Sequence, residues 1–93
     1  MDVVKEMFMD LVNRYPKHRL EKEDINKAYS FWKESMHQVD RKDALKNLTP
    51  YLDLKAKSDS KYTHMLSNYL MKRAYDRNFL YKLQQQLIEY NQF

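Results

Sequence analysis

Basic side chains and tyrosines alternate in the C-terminal part of the chain, a mixture that could bind a polyanion. Each cation that contacts a phosphate releases a counterion from a nucleic acid, so such binding weakens steeply with salt. The neighbouring Tyr62, Tyr69 and Tyr75 could stack on unpaired bases or could belong to the core. The sequence predicts a surface for DNA or for an acidic protein partner. Its candidate residues are Lys55, Lys57, Lys61, Lys72, Arg73 and Arg77.

The positive charge of the chain is concentrated in the same part. Residues 1–53 contain ten basic and ten acidic side chains, whereas residues 54–93 contain seven basic and three acidic ones. The second segment therefore carries the whole net charge of +4. This asymmetry favours an anionic partner, and a solvated helical face is the alternative interpretation.

The residue types that could catalyse a reaction or hold a metal are scattered. His18, His37 and His64 have no second ligand at a recognised metal-binding spacing. The residue types of a catalytic triad occur in Ser58, Asp59, Ser60 and His64, but a linker and a helix start offer no nucleophile elbow and no oxyanion hole. The chain has no glycine and no cysteine, so it lacks a glycine-rich phosphate loop and a thiolate metal site. We predict a non-enzymatic protein that uses no metal and no cofactor.

The composition predicts an all-α fold. Average usage would place about six glycines in a chain of this length, and this one has none. Tight β-hairpins usually need glycine at positive φ, whereas short connections between helices can use asparagine. A chain of 93 residues is the size of one domain. We therefore expect residues 1–93 to form a compact single-domain bundle of four to five helices.

Local signals place the first two helices. Asp2 is a suitable N-cap for a helix over residues 2–13, and Tyr15-Pro16 ends it because the residue before proline avoids the α region. A second helix should begin near Glu21, with acidic residues in its first turn, and end near residues 37–38.

The third helix has the clearest start signal and an interruption. Asp40 is predicted as its N-cap, with Val39 and Ala44 forming a hydrophobic staple. Pro50 then interrupts the apolar stripe. We expect one helix that kinks at Pro50, and the alternative is a second helix with Thr49 as its cap.

The C-terminal part is predicted to contain two more helices. Lys55–Ser60 has low hydrophobicity and is expected to be a linker, with Ser60 capping the central helix. The apolar stripe changes phase after Tyr75, so we expect a break there and a final helix to about Tyr90 with Asp76 as its cap. One continuous helix over residues 60–90 is the alternative.

The large apolar residues allow two interpretations. The chain has eight tyrosines, four phenylalanines, one tryptophan and six methionines. These residue types are enriched at protein interfaces, and a domain this small cannot bury all of them fully. They form either a core of bulky side chains or an exposed interface, which could include a homodimer contact. Trp32 lies on the apolar stripe of the second helix and is predicted to be core.

A series of anchor residues follows in a fixed order along residues 7–77. They are Phe8, Tyr15-Pro16, Ala28 with Trp32, Ala44-Leu45 with Leu48 and Tyr51, Tyr69-Leu70 and Tyr75-Asp76. This order resembles a small helical module of phage and prophage replication proteins, including helicase-loader types. The resemblance implies an accessory factor that recruits, loads or inhibits a replication protein such as a replicative helicase.

Three functions remain as hypotheses from the sequence. The first is a helical adaptor from a phage or mobile element that binds a replication protein and, through its basic surface, DNA. The second is a direct DNA-binding protein, and the third is a self-associating inhibitor or structural protein. No apolar run reaches the roughly 20 residues that span a bilayer, and no secretory signal is recognised. We therefore expect no membrane contact and a place in the bacterial cytoplasm.

Overall fold

Helices surround a single apolar core in the part of the chain that the structure describes. The computed structural model describes residues 2–58 and 63–91, and these ranges contain six α-helices and no β-strand. The all-α prediction is confirmed, with one helix more than expected. A short 3-10 turn, Lys17–Arg19, connects the first two helices. The α-helices are α1 Val3–Arg14, α2 Lys22–Glu34, α3 Gln38–Lys46, α4 Leu48–Ser58, α5 Leu66–Met71 and α6 Arg77–Asn91.

The predicted signals at the start and end of α1 are confirmed. Asp2 is its N-cap and accepts a hydrogen bond from the backbone N–H of Lys5 at 3.1 Å. Tyr15 is extended and ends the helix directly before Pro16, as the steric effect of proline requires. α2 begins one residue after Glu21 and ends at Glu34, before the predicted end.

α1 and α2 pack through aromatic side chains. Trp32 is completely buried, and its ring meets that of Phe8 edge-on at a centroid distance of 5.7 Å. Its indole N–H donates a hydrogen bond to the carbonyl oxygen of Val4 at 2.9 Å, so the one polar atom of the side chain has a partner. The prediction that Trp32 is core is confirmed.

The prediction of one helix that kinks at Pro50 is wrong. The chain forms two helices that separate at Asn47, whose φ of −96° and ψ of 5° lie outside the helical region. The side chain of Asn47 donates a hydrogen bond to the carbonyl oxygen of Tyr75 at 2.8 Å. This bond joins the break between the two helices to the turn that precedes α6. Pro50 lies in the first turn of α4, where a missing N–H costs no intrahelical hydrogen bond.

The predicted N-cap and hydrophobic staple of the third helix are also wrong. α3 begins at Gln38 with His37 in the N-cap position, so Asp40 lies within its first turn. The Asp40 carboxylate faces the guanidinium of Arg73 at 3.3 Å, a partner that is distant in sequence. Val39 is 69% exposed and does not cover the helix end.

The predicted linker is partly helical. α4 continues through Ser58, so the four residues 55–58 are helix, while Ser60 lies outside the described residues. Thr63–Met65 has no regular structure, and α5 begins only at Leu66, later than predicted.

The first turn of α5 is bound by a side chain of another helix. Asp24 of α2 accepts a hydrogen bond from the backbone N–H of Ser67 at 3.0 Å and a second one from its hydroxyl. Its carboxylate therefore caps the first turn of α5, where a helix has backbone N–H groups without internal partners. A cap from a residue 43 positions away cannot be read from local spacing.

The predicted break after Tyr75 is confirmed. Residues 72–76 form a turn in which Arg73 has a φ of 54°, and α6 begins at Arg77. The backbone N–H of Leu80 donates to the carbonyl oxygen of Asp76, which stands just before the helix, as expected for a capping residue. Within the described residues, no helix is both long enough and apolar enough to cross a bilayer.

Candidate anion-binding surface

His64 contacts three parts of the fold, namely Tyr15 just after α1, Tyr51 of α4 and Phe79 of α6. Its backbone N–H donates a hydrogen bond to the hydroxyl oxygen of Tyr51 at 2.9 Å, and its ring atom Nδ1 lies 2.7 Å from the same oxygen. The hydroxyl of Tyr15 donates to the His64 carbonyl oxygen. The ring of Phe79 meets the imidazole edge-on at 5.8 Å. Both the backbone and the ring of His64 are therefore held in one place.

The tyrosines beneath His64 form a packed aromatic cluster. Tyr69 lies at its centre, with its ring centroid 4.9 Å from Tyr51, 5.6 Å from Tyr15 and 5.9 Å from Tyr75. Burial raises the pKa of Tyr15 and the pKa of Tyr69 far above their ordinary value. Both hydroxyls are hydrogen-bond donors, Tyr15 to the carbonyl oxygen of His64 and Tyr69 to that of Ala44.

The positive charges of three basic side chains from separate segments act on this histidine. They are Arg19 from the 3-10 turn, Lys55 from α4 and Lys72 from the end of α5, and we call them the cationic cluster. Burial lowers the pKa of His64, and the positive charges of Lys55, Lys72 and Arg19 lower it further. The Lys55 ammonium lies 6.0 Å from the ring centroid of Tyr51, and burial also lowers its pKa.

The cationic cluster contains two of the six predicted binding residues, Lys55 and Lys72. Lys57 and Arg77 are exposed, at the end of α4 and the start of α6. Lys61 lies outside the described residues.

Arg73 has intramolecular partners instead. Its guanidinium pairs with Asp40 at 3.3 Å and with Asp76 at 4.0 Å, and it lies 5.6 Å from the ring centroid of Tyr75. An approaching phosphate would have to compete with two carboxylates for this side chain. Arg73 is therefore a weaker candidate than Lys72, its neighbour in sequence.

Two of the three tyrosines proposed for base stacking are core residues. Tyr69 is completely buried and Tyr75 is 2% exposed, so neither offers a ring face to a base. Tyr62 lies outside the described residues. Of the two interpretations of these tyrosines, the core one is confirmed for Tyr69 and Tyr75.

Sequence reasoning missed Arg19 as a member of the site. The basic loop after Pro16 was visible in the sequence, but its distance of 45 residues from His64 gave no reason to connect the two. The Nε atom of Arg19 is buried, and none of the described residues accepts a hydrogen bond from it. A buried donor without a partner is uncommon in proteins and favours a nearby acceptor.

The outer face of α6 is a second feature of the surface. Leu83 points into the core, whereas Tyr81 is 63% exposed and Ile88 is 45% exposed. Tyr81 and Ile88 are seven residues apart, close to two helical turns, so they lie on the same side of the helix with Gln84 between them. We call these three residues the outer face of α6.

The chemistry that this arrangement can perform is the binding of an anion. Within residues 2–58 and 63–91, no group of three or more histidine, aspartate or glutamate side chains is placed to hold a metal ion. In the cationic cluster Arg19 and Lys55 are half-buried, whereas Lys72 is exposed. Charges screened from water interact more strongly with an anion than fully solvated ones do. The fold and the cluster define an all-α helical domain with a local group of positive charges.

Comparison of the chain with protein-family models, with curated proteins and with solved structures finds no match. The resemblance to phage replication modules therefore stays a prediction from the anchor residues.

Proposed function

We propose that this chain is a non-enzymatic helical adaptor of phage or mobile-element DNA replication, acting in the cytoplasm of a bacterial host. In this proposal the cationic cluster binds the phosphates of DNA. The observation that carries it is that the positive charges of Arg19, Lys55 and Lys72 all act on one half-buried histidine. These charges come from three segments that are far apart in sequence. A uniformly solvated helical face would instead carry the charges of one helix. The replication context comes from the resemblance of the anchor residues.

The DNA-binding part is tested by reversing two charges of the cluster. Lys55→Glu combined with Lys72→Glu should weaken the binding of a labelled oligonucleotide by roughly 10- to 100-fold at low salt. The slope of log affinity against log salt should become smaller by about 1.5, because each lost phosphate contact removes about 0.7 for single strands and 0.9 for double strands. Fluorescence anisotropy of single- and double-stranded DNA at two salt concentrations measures both quantities.

A matched variant separates local binding from net charge. Lys5→Glu combined with Lys42→Glu makes the same change in net charge on two exposed lysines, which lie on α1 and α3. This control should keep most of the affinity. Equal losses in the two double variants would mean that only the overall charge matters, and unchanged binding in the cluster variant would exclude the cluster as the DNA site. Far-UV circular dichroism of each variant checks that its helices remain.

The outer face of α6 is our candidate for the contact with a replication protein such as a replicative helicase. The support is that the two largest apolar side chains there, Tyr81 and Ile88, are exposed. Most aromatic side chains of the predicted apolar stripes are instead buried in the core.

Polar substitution of this face tests the protein contact. The wild-type chain, immobilised and incubated with host lysate, should retain a replication protein identified by mass spectrometry, and Tyr81→Ser with Ile88→Ser should retain less than about a tenth of it. Val39→Ser is the control, since Val39 is 69% exposed on another helix. Retention by the double variant would exclude this face. Light scattering at rising protein concentration separates this hypothesis from self-association, which predicts a dimer that the double variant weakens.

A further inference from the structure

We propose that the groove between α1 and α2 binds an acidic peptide segment of a partner protein, which inserts one aromatic side chain and places a carboxylate at a pair of lysines. The groove shares no residue with the cationic cluster or with the outer face of α6, so the inference goes beyond the proposed function. Its lining residues are Lys5, Phe8, Met9, Ile25, Asn26 and Tyr29.

The floor of the groove is apolar and fixed by packing. Phe8 is 3% exposed, and its ring centroid lies 5.0 Å from that of the half-buried Tyr29. Met9 remains 47% exposed at the side. The groove has a volume of about 180 Å³, and an apolar cavity of about 150 Å³ is enough to hold benzene. It therefore has room for one aromatic side chain, the kind of anchor that is enriched at protein interfaces.

α1 and α2 run antiparallel along the groove. The indole N–H of Trp32, near the end of α2, donates to the carbonyl oxygen of Val4 near the start of α1. Tyr29, about one turn earlier in α2, packs instead against Phe8, about one turn later in α1. The start of α1 and the end of α2 therefore form one end of the groove.

This end of the groove carries two positive charges. Lys5 lines it on α1, and Lys33 of α2 places its ammonium 5.5 Å from the ring centroid of Tyr29. Both lysines are exposed, and neither forms an ion pair with another of the described residues. The carboxylate of Asp2 caps α1 by accepting from the backbone N–H of Lys5. No lining residue is acidic, so the groove complements a carboxylate beside an apolar side chain.

The observations favour a peptide over a nucleic-acid strand. A base that stacks needs a free aromatic face, but Phe8 is buried, and the ring of Tyr29 is contacted by Phe8 and by the Lys33 ammonium. Residues 1–53 also contain ten basic and ten acidic side chains. This half of the chain therefore lacks the positive excess that phosphate binding favours.

The first test uses three acetylated and amidated peptides as probes. Their sequences are Glu-Glu-Phe-Glu-Glu, Glu-Glu-Ala-Glu-Glu and Lys-Lys-Phe-Lys-Lys. In two-dimensional N–H correlation NMR, the acidic phenylalanine peptide should shift the backbone amides of Met9, Asn26 and Tyr29 with a Kd of about 1 mM or lower. The alanine peptide should bind at least about fivefold more weakly because it lacks the anchor. The lysine peptide should bind at least about tenfold more weakly because it brings like charges together.

Two pairs of charge reversals locate the bound peptide. Lys5→Glu combined with Lys33→Glu should weaken the binding of the acidic phenylalanine peptide by about fivefold or more. The matched control is Lys27→Glu combined with Lys42→Glu, which makes the same change in net charge on two exposed lysines outside the groove. It should change the affinity by less than about twofold, because salt screens distant charges. All four lysines are exposed, and circular dichroism checks that the helices remain.

The other outcomes identify a different occupant or none. Groove amides that do not shift at about 10 mM acidic peptide, equal binding of the alanine peptide, or equal weakening by the two charge reversals would overturn the proposal. Shifts of these amides with a thymidine oligonucleotide and not with the peptide would indicate a nucleic acid instead. Shifts that grow with protein concentration alone would indicate a second copy of this chain. None of these results depends on the cationic cluster or on α6, so the proposed function is tested separately.

Discussion

Replacement of Trp32 by alanine is expected to lower the free energy of unfolding by about 3–5 kcal/mol, the usual cost of deleting a large buried aromatic side chain. Trp32 is completely buried between α2 and α1 and contacts the ring of Phe8. Its loss leaves a cavity and also leaves the carbonyl oxygen of Val4 without its indole donor. Urea denaturation followed by far-UV circular dichroism measures the effect.

A milder variant allows the prediction to be tested even if Trp32→Ala does not fold. Many domains have only about 5–15 kcal/mol of stability, so Trp32→Ala could unfold one of this size. Trp32→Phe keeps an aromatic ring in place and should cost less than the alanine variant. A loss below about 1 kcal/mol in Trp32→Ala would contradict the burial of this side chain and would make Trp32 a candidate for a binding surface.

Tyr69→Ala is expected to have an effect of similar size, about 3–5 kcal/mol. Tyr69 is completely buried at the centre of the aromatic cluster, where its ring packs against Tyr15, Tyr51 and Tyr75. The cavity would lie directly beneath the segment that carries His64. Equilibrium urea denaturation measures the stability, and the affinity for DNA should fall with it because the cationic cluster loses its scaffold.

Tyr69→Phe separates packing from hydrogen bonding. The Tyr69 hydroxyl donates to the carbonyl oxygen of Ala44 near the end of α3 at 2.7 Å, in a buried position. Its removal should cost about 1–2 kcal/mol, since the buried acceptor is left without its partner. Tyr81→Phe is the matched control because Tyr81 is 63% exposed, and it should change the stability by less than about 0.5 kcal/mol. Equal effects in the two phenylalanine variants would contradict the role of the Ala44 hydrogen bond.

The position of the candidate site depends on side chains that no local pattern connects. Lys55 and Lys72 were predicted from charge and composition, but Arg19 joins them only because the tertiary structure lets its charge act on His64. Arg73 carries the same charge as its neighbour Lys72, yet it pairs with Asp40 from α3. Which cations remain available to a ligand is therefore decided by contacts between distant parts of the chain.

Features that depend on neighbouring residues could be predicted from the sequence. Asp2 caps α1 because its carboxylate reaches an N–H three residues on, and Pro16 ends that helix by a steric effect on the residue before it. The all-α fold follows in the same way from the lack of glycine and the helical spacing of apolar residues. Trp32 is core because it lies on such a stripe.

Features that depend on long-range hydrogen bonds could not be predicted from the sequence, because they arise from the tertiary structure. The break between α3 and α4 falls at Asn47 because its side chain binds Tyr75, and α5 begins at Leu66 with its first turn capped by Asp24. These partners are 28 and 43 residues apart in sequence. Sequence spacing reports which residues share a helix face, whereas the placement of one helix end against another depends on how the whole core packs.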